Sequence, residues 1–110
     1  MNIFVLDNDV SKAAAYHCDK HVVKMCLEYA QLLSTTANHF LNERVGYKTT
    51  HINHPCSVWT RQSSANVRWL AALLIKLGDQ YTMRYLKVHK SVHVGVNAAW
   101  LAIKHMRSEE

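Results

Sequence analysis

Polar side chains recur along one face of the first predicted helix at spacings of three, four and seven residues. The series consists of His17, Lys20, His21, Lys24, Glu28 and Gln31. Residues three or four apart on an α-helix are neighbours, so these side chains form a ridge. A Lys/Glu ridge is most often an ordinary solvated surface. Two His beside two Lys favour an anion pocket instead, because helix surfaces rarely need histidine.

Four histidines offer an alternative chemistry for this ridge. His17 and His21 are four residues apart, a spacing at which two imidazoles can hold one metal ion, and His51 and His54 would complete a set of four ligands. The corresponding function is a His-ligated, metal-dependent hydrolase. The sequence has neither a C-x-x-C pair nor an H-E-x-x-H motif. We therefore expect no metal ion and no cofactor, and keep the hydrolase as an alternative.

A second polar cluster extends from His51 to Arg61, where a polar loop ends and Pro55 lies near the start of the next predicted helix. The first backbone N–H groups of a helix lie at the positive end of its dipole and can receive a phosphate. We expect His54 and Arg61 to contribute to such a site. Helix capping by Ser57 and Asn53 explains part of the cluster equally well, and one residue can do both.

Three further polar residues are candidates for the same site. Asn66 lies on the apolar face of the second predicted helix, where a buried amide must find partners in loop backbone or in a pocket. Arg84 and His89 belong to a basic segment that joins the second and third predicted helices. A helix C-terminus attracts basic residues, which explains His89. Arg84 lies near Tyr81 on the helix and is expected to face the pocket, so all three are predicted to bind ligand.

The three tryptophans have the spacing of core or half-buried residues. Trp100 shares a predicted apolar face with Val96 and Ile103, and Trp59 and Trp69 belong to the second helical pattern. Packing is therefore the expected role of each tryptophan, while stacking on a nucleic-acid base stays open for one of them.

The elements that position these residues are predicted to be helices. Residues 2–6 are apolar and β-prone, and they predict a short strand or an extended arm. An uninterrupted periodicity of three and four predicts helices over 10–41 and 57–88, the second kinked at Gly78 or ending early. A third helix is predicted over 91–105, with Ser91 as its N-cap. The expected fold is all-α, a compact three-helix domain with two long helices and a shorter C-terminal one, as a single domain over 1–110.

Size, composition and charge limit the function classes. With 110 residues, 49% of them hydrophobic, the chain can form one core but not two ordinary domains. Lys and Arg outnumber Asp and Glu by 13 to 8, and the net charge of +5 favours an acidic partner. No apolar run could span a bilayer, and Asp7 and Asp9 interrupt any signal peptide. Three cysteines without paired spacing predict free, largely buried thiols, as in a reducing compartment. Together these features predict a cytoplasmic protein that does not bind membranes.

Three segments in a fixed order carry a resemblance to a known family. They are Asp19-Lys20-His21 with Lys24, Glu28 and Gln31, then His54-Pro55 with Trp59, then Leu77 to Arg84. Together they span roughly two-thirds of the chain and resemble the pyrimidine-dimer DNA glycosylases of the phage endonuclease V type. The segment H-C-D-K-H-V-V-K-M also resembles uncharacterised bacteriophage proteins.

The resemblance implies a helical domain that flips a damaged nucleotide out of DNA and attacks C1′ of its sugar with the N-terminal amine. On this sequence it implies the Met1 amine as nucleophile and Glu28 or Asp19 as acid or base. The expected phosphate contacts are Lys20, Lys24, Arg61 and Arg84. Two departures shift the expectation from catalysis towards binding: the bulky Asn2 opposes removal of Met1, and the family's acid falls near His21.

The sequence thus predicts a basic phage-type protein that binds nucleic acid or a nucleotide, with a glycosylase/AP-lyase-like DNA repair enzyme as its catalytic form. A non-catalytic protein that sequesters a signalling nucleotide, and so counters host defence, is an alternative based on the same ridge. The sequence does not indicate the identity of the ligand or the oligomeric state.

Overall fold

The computed structural model describes residues 2–108, which form five helices. In chain order these are α1 (Val10–Ala15), α2 (Asp19–Leu41), α3 (Pro55–Arg61), α4 (Ser64–Tyr85) and α5 (Lys90–Ser108). Residues 2–9 precede α1 without regular structure, and no strand forms in the part of the chain that the structure describes. The predicted all-α class and the N-terminal arm are confirmed, whereas the three predicted helices become five.

The prediction of one continuous helix over residues 10–41 is wrong. The helix breaks after α1, because Cys18 takes an extended conformation (φ −70°, ψ 161°) at the start of α2. The carbonyl groups of Ala15 and His17 at this break accept hydrogen bonds from Arg84, at 3.1 and 2.9 Å. Since Arg84 lies far along the chain, the local periodicity gives no sign of the break.

The second predicted helix is also two helices, because Ser63 takes an extended conformation (φ −156°, ψ 155°) between α3 and α4. Its hydroxyl caps α4 by accepting from the backbone N–H of Asn66 at 3.1 Å. α4 then passes through Gly78 and ends before Leu86, whose backbone is left-handed. Gly78 serves close packing, because a Cβ there would come within 2.6 Å of Cγ2 of Val92 in α5.

The core lies where α2, α4 and α5 pack on one another, with α1 against α4 and α3 against α2 and α4. Its buried apolar residues include Val22, Met25, Cys26, Leu33, Leu70, Leu73, Leu74, Leu77, Ala98, Ala102 and Ile103. Small residues of α5 allow this helix to pack closely against α2. A Cβ on Gly95 would lie 2.9 Å from Cα of Ala30, so a larger side chain at that position would force α2 and α5 apart.

The loop between α2 and α3 is held by polar side chains of α2 that it covers. Asn38 donates to the carbonyl of Tyr47 at 2.9 Å and accepts from the N–H of Val45 at 2.7 Å. Thr35 exchanges two hydrogen bonds with the backbone of Thr50. These bonds satisfy backbone groups that a loop packed on a helix would otherwise leave unpaired.

The start of α5 differs from the prediction in its cap. Nδ1 of His89 accepts from the backbone N–H of Ser91 at 3.3 Å, so His89 takes the capping role. Ser91 is buried inside the helix, with its hydroxyl 2.9 Å from that of Tyr47. The prediction of Ser91 as the N-cap is therefore wrong.

The three cysteines are free, as predicted, but only Cys26 is buried. Burial raises the pKa of the Cys26 thiol to about 12, so the sulfur stays protonated and is a poor nucleophile.

Within residues 2–108 there is no helix of sufficient length and apolar character to cross a membrane.

Candidate functional site

His17, which was predicted to lie on the exposed ridge, is buried at the break between α1 and α2 and is 2% exposed. Its Nδ1 lies 2.7 Å from the carbonyl oxygen of Ala13, and because a carbonyl only accepts, Nδ1 carries the proton. Its Nε2 then accepts from the hydroxyl of Tyr29 at 2.9 Å. The helix break turns His17 into the core and occupies both nitrogens, so its predicted place on the ridge is wrong.

The N-terminal arm is attached to this histidine through Tyr29. The Tyr29 oxygen accepts from the backbone N–H of Phe4 at 3.1 Å. The Phe4 ring stacks on His21, with centroids 4.5 Å apart, and meets His17 edge-on at 5.8 Å. The arm is therefore fixed over the N-terminal half of α2.

The His17–Tyr29 pair is neutral. Burial lowers the pKa of His17; the hydrogen bond to Ala13 opposes this effect, while His21 and Arg84 add to it through charge repulsion. Burial is also the main cause that raises the pKa of Tyr29 above its usual value. The protonation of both groups thus agrees with the donor and acceptor assignment from the geometry.

Arg84 brings the end of α4 to the same break. Its guanidinium donates to the carbonyls of Ala15 and His17, to Oδ1 of Asp19 at 2.9 Å and to Oε1 of Gln80 at 3.3 Å. Four of its five N–H groups are therefore engaged within the protein. Arg84 fixes the turn between α1 and α2, and its contact with a ligand stays a prediction.

His54 and Arg61 hold the junction between the loop and α3. His54, rather than Ser57 or Asn53, is the N-cap of α3, with Nδ1 accepting from the N–H of Cys56 at 3.1 Å, and Pro55 begins the helix two residues before the predicted start. Arg61 donates to the carbonyl of Ile52 at 2.6 Å. The His54 side chain thus occupies one of the N–H groups at which a phosphate was expected.

Asn66 and His89 also bind backbone carbonyls. The Asn66 amide donates to the carbonyl of Trp59 at 2.7 Å and so joins α3 to α4. Nε2 of His89 lies 3.2 Å from the carbonyl of Val23, which ties the turn between α4 and α5 to α2. For Asn66, the partner is thus backbone, the first of the two roles predicted for its amide. Ligand binding by either residue stays a prediction.

The exposed part of the ridge is shorter than predicted. Lys20 and Lys24 are exposed and four residues apart on α2, while His21 and Gln31 are half-buried. The side chain of Asp19 is 79% exposed and forms an ion pair with Arg84. Within the predicted ridge, the exposed positive charge is therefore confined to Lys20 and Lys24 in the first turns of α2.

Glu28 is the unusual member of this surface. Its side chain is 17% exposed, and Oε2 lies 3.9 Å from Nζ of Lys24, beyond hydrogen-bond distance. Oε2 is buried and has no hydrogen-bond partner among residues 2–108. The hydroxyl of Ser57, in α3, is the other buried side-chain polar atom of the described residues without a partner. An unpaired buried carboxylate oxygen is costly, so Glu28 is suited to accept a donor group from a ligand.

The metal-dependent hydrolase and the glycosylase hypotheses each require further groups. No group of three or more His, Cys, Asp or Glu that could hold a metal ion forms among residues 2–108. The four-histidine set of the hydrolase alternative is therefore not assembled. Met1, the nucleophile implied by the resemblance, lies outside the described residues.

Tyr29 is the important residue of this region that the sequence pattern does not reveal. By spacing it belongs to the apolar series of α2, and it is fully buried. The available signal is chemical, because a buried tyrosine hydroxyl needs a hydrogen-bond partner.

No protein-family model, curated protein or solved structure matches the chain.

Proposed function

We propose that this protein binds nucleic acid, or a phosphate-bearing nucleotide, on the face of α2 that carries Lys20, Lys24 and Glu28. The observation that carries the proposal is the buried Oε2 of Glu28, which lacks a hydrogen-bond partner within residues 2–108 and lies 3.9 Å from the Lys24 ammonium. Lysines attract phosphates, and a carboxylate accepts from a hydroxyl or amino group. Nucleotides and nucleic acids offer both groups.

The charges of this face support the same ligand class. Lys20 and Lys24 are exposed, and the 3.9 Å contact with Glu28 holds the ammonium of Lys24, whose side chain is 64% exposed, only weakly. Both lysines are therefore free to move onto a phosphate. His21, stacked on Phe4, lies next to Lys20 and adds positive charge when protonated. We further propose a cytoplasmic location, where the three free thiols stay reduced.

A glycosylase and abasic-site lyase activity is the second candidate, and the Glu28 carboxylate favours it. The resembled family uses an acid together with an N-terminal amine. The hydrogen bond from Phe4 to Tyr29 holds the arm beside the residue that follows Glu28 in α2. In this form of the hypothesis, Glu28 acts as the acid or base next to the flipped nucleotide.

Fluorescence anisotropy tests the binding proposal. The probes are labelled single-stranded DNA of about 16 nucleotides, the duplex and RNA of the same sequence, and a labelled nucleotide. We expect saturable binding to at least one probe and a loss of about tenfold or more in Lys20→Ala/Lys24→Ala. The control, Lys48→Ala/Lys76→Ala, also removes two exposed lysines. Flat isotherms with all probes, or equal losses in both variants, would contradict the proposal.

A trapping experiment separates catalysis from binding. Borohydride reduces a Schiff base between an amine and an abasic sugar to a stable covalent adduct. We expect the catalytic form to give this adduct with abasic-site DNA. If no adduct forms under conditions that trap a known lyase, the catalytic candidate is removed. Tighter binding of the free nucleotide than of any strand would instead favour the nucleotide-sequestering form.

A further inference from the structure

Trp100 lies on the outer surface of α5 and is 67% exposed. The packing role predicted from its spacing is therefore wrong. Exposed tryptophan is uncommon on surfaces that remain in water, and it is enriched where proteins bind one another. Ile75 of α4, on the opposite side of the same groove, is also exposed. Two large apolar side chains thus face solvent across one gap between helices.

The gap between α4 and α5 is an apolar groove of about 200 Å³. Its floor consists of small or partly buried residues of both helices, among them Ala71, Ala72, Ala99 and Val96. Because alanines are short, Ile75 and Trp100 stand above this floor as walls. A groove of this shape accepts the apolar side chains of an amphipathic helix at positions i, i+3, i+4 and i+7.

The surroundings of the groove are positively charged. Arg68 lines the groove itself, and Lys104 and Arg107 line a second depression that also borders Trp100. All three are exposed, and none forms an ion pair within the described part of the chain. The described helix α5 has no acidic residue, and Asp79 is the one acid of α4. The groove thus has an apolar centre with a cationic rim.

We infer that the groove between α4 and α5 is a docking site for an acidic amphipathic helix of a partner protein. The apolar residues of that helix pack between Ile75 and Trp100, and its Asp and Glu residues meet Arg68, Lys104 and Arg107. A second copy of the chain would bring two cationic rims together. A nucleic-acid strand would find one stacking surface, Trp100, over an apolar floor that offers its bases no hydrogen bonds.

A peptide selection tests this inference. A display library of helix-forming peptides is selected against the full chain, with the Trp100→Ala chain as the counter-target. We expect acidic peptides whose apolar residues recur every three or four positions. The affinity of the best synthetic peptide should fall about tenfold or more in Trp100→Ala and in Arg68→Glu. It should stay within about twofold in Lys48→Glu, a charge reversal at an exposed residue outside the groove.

Other outcomes overturn the inference. These are no enrichment over the counter-target, enrichment of basic peptides, or peptide binding that survives both Trp100→Ala and Arg68→Glu. A dimer in sedimentation velocity that requires Trp100 would assign the groove to a second copy, and oligo(dT) binding that requires Trp100 would assign it to nucleic acid. Because the groove contains no residue of α2, Lys20→Ala/Lys24→Ala should bind the peptide normally, which separates this test from that of nucleic-acid binding.

Discussion

The hydroxyl of Tyr29 lies 2.9 Å from Nε2 of His17 and donates its proton to that nitrogen. The same oxygen accepts from the N–H of Phe4, and Nδ1 of His17 donates to the carbonyl of Ala13. Three consecutive hydrogen bonds therefore join the arm, α2 and α1. Because the carbonyl at one end only accepts and the amide at the other only donates, a single arrangement of protons is possible while the His17 ring is neutral.

Replacing Tyr29 by Phe should break this chain of hydrogen bonds. The change leaves Nε2 of His17 and the N–H of Phe4 without partners in a buried region, so we expect the free energy of unfolding to fall by about 1–3 kcal/mol. Urea unfolding measures the loss. Tyr85→Phe is the matched control, because Tyr85 is exposed, and it should change stability by no more than about 0.5 kcal/mol. Equal losses in the two variants would show that the hydroxyl of Tyr29 is not specifically required.

The lowered pKa of His17 should make stability depend on pH. The unfolded chain protonates this ring near its usual pKa of 6.5, whereas the folded protein keeps it neutral to lower pH. Below pH 6.5 the unfolded state therefore binds more protons than the folded state. The free energy of unfolding should fall as pH falls, by at most about 1.4 kcal/mol per pH unit, until the folded-state pKa is passed.

Urea unfolding between about pH 7.5 and about pH 5.5 measures this dependence. The His17→Gln variant should lose stability less steeply with acidification than the unmodified protein. His93→Gln, which removes an exposed histidine, should keep the original slope. If His17→Gln also keeps that slope, buried neutral His17 is not a source of the acid sensitivity.

Arg84 should stabilise the fold mainly through the carbonyls at the helix break. In Arg84→Lys, a single ammonium replaces the planar fork that reaches Ala15, His17 and Asp19, and we expect a loss of about 1.5–3 kcal/mol. Asp19→Asn should cost no more than about 1 kcal/mol, since its carboxylate is exposed. Thermal unfolding followed by circular dichroism compares the two. A loss in Asp19→Asn as large as that in Arg84→Lys would assign the stabilisation to the ion pair instead.

Substitution of Glu28 distinguishes a ligand acceptor from a passive charge. If Oε2 accepts a hydrogen bond from the ligand, Glu28→Ala should weaken nucleic-acid binding by about 10- to 100-fold, despite the loss of a negative charge. The affinity of Glu28→Gln, which keeps one acceptor oxygen, should lie between those of the unmodified protein and Glu28→Ala. Glu43→Ala, at an exposed loop acid, serves as the control and should leave binding unchanged or slightly tighter. Tighter binding in both Glu28 variants would contradict the acceptor role. Anisotropy titrations supply the affinities.

Local signals predicted the helical class, but they did not predict where the helices break. The apolar periodicity of α1 and α2 continues through His17, and the break there is stabilised by Arg84, 67 residues later. Such a long-range contact leaves no mark on local spacing. The break at Ser63, by contrast, does have a local signal, because serine is a favoured N-cap residue. Its hydroxyl accepts from the N–H of Asn66, three residues later. The periodicity that continues across Ser63 outweighed that signal and joined α3 to α4.

The candidate site was predictable only where it depends on spacing within one helix. Lys20 and Lys24 follow from spacing alone, and both are exposed in the structure. The polar groups of Arg84, Asn66 and His54 instead bind nearby backbone. A sequence shows that such groups need partners, but it does not show whether the backbone or a ligand supplies them. The predicted site was therefore broader than the part of it that the structure leaves exposed, which is centred on Lys20 and Lys24.

The salt dependence of nucleic-acid binding tests the central claim most directly. Each phosphate neutralised by a lysine contributes about 0.9 to the slope of log K against log salt concentration for duplex DNA, or about 0.7 for a single strand. Lys20→Ala/Lys24→Ala should therefore flatten the slope by about 1.8 or about 1.4, respectively. Lys48→Ala/Lys76→Ala should leave the slope unchanged. A slope in Lys20→Ala/Lys24→Ala equal to that of the unmodified protein would contradict the proposal that this face of α2 binds the phosphates.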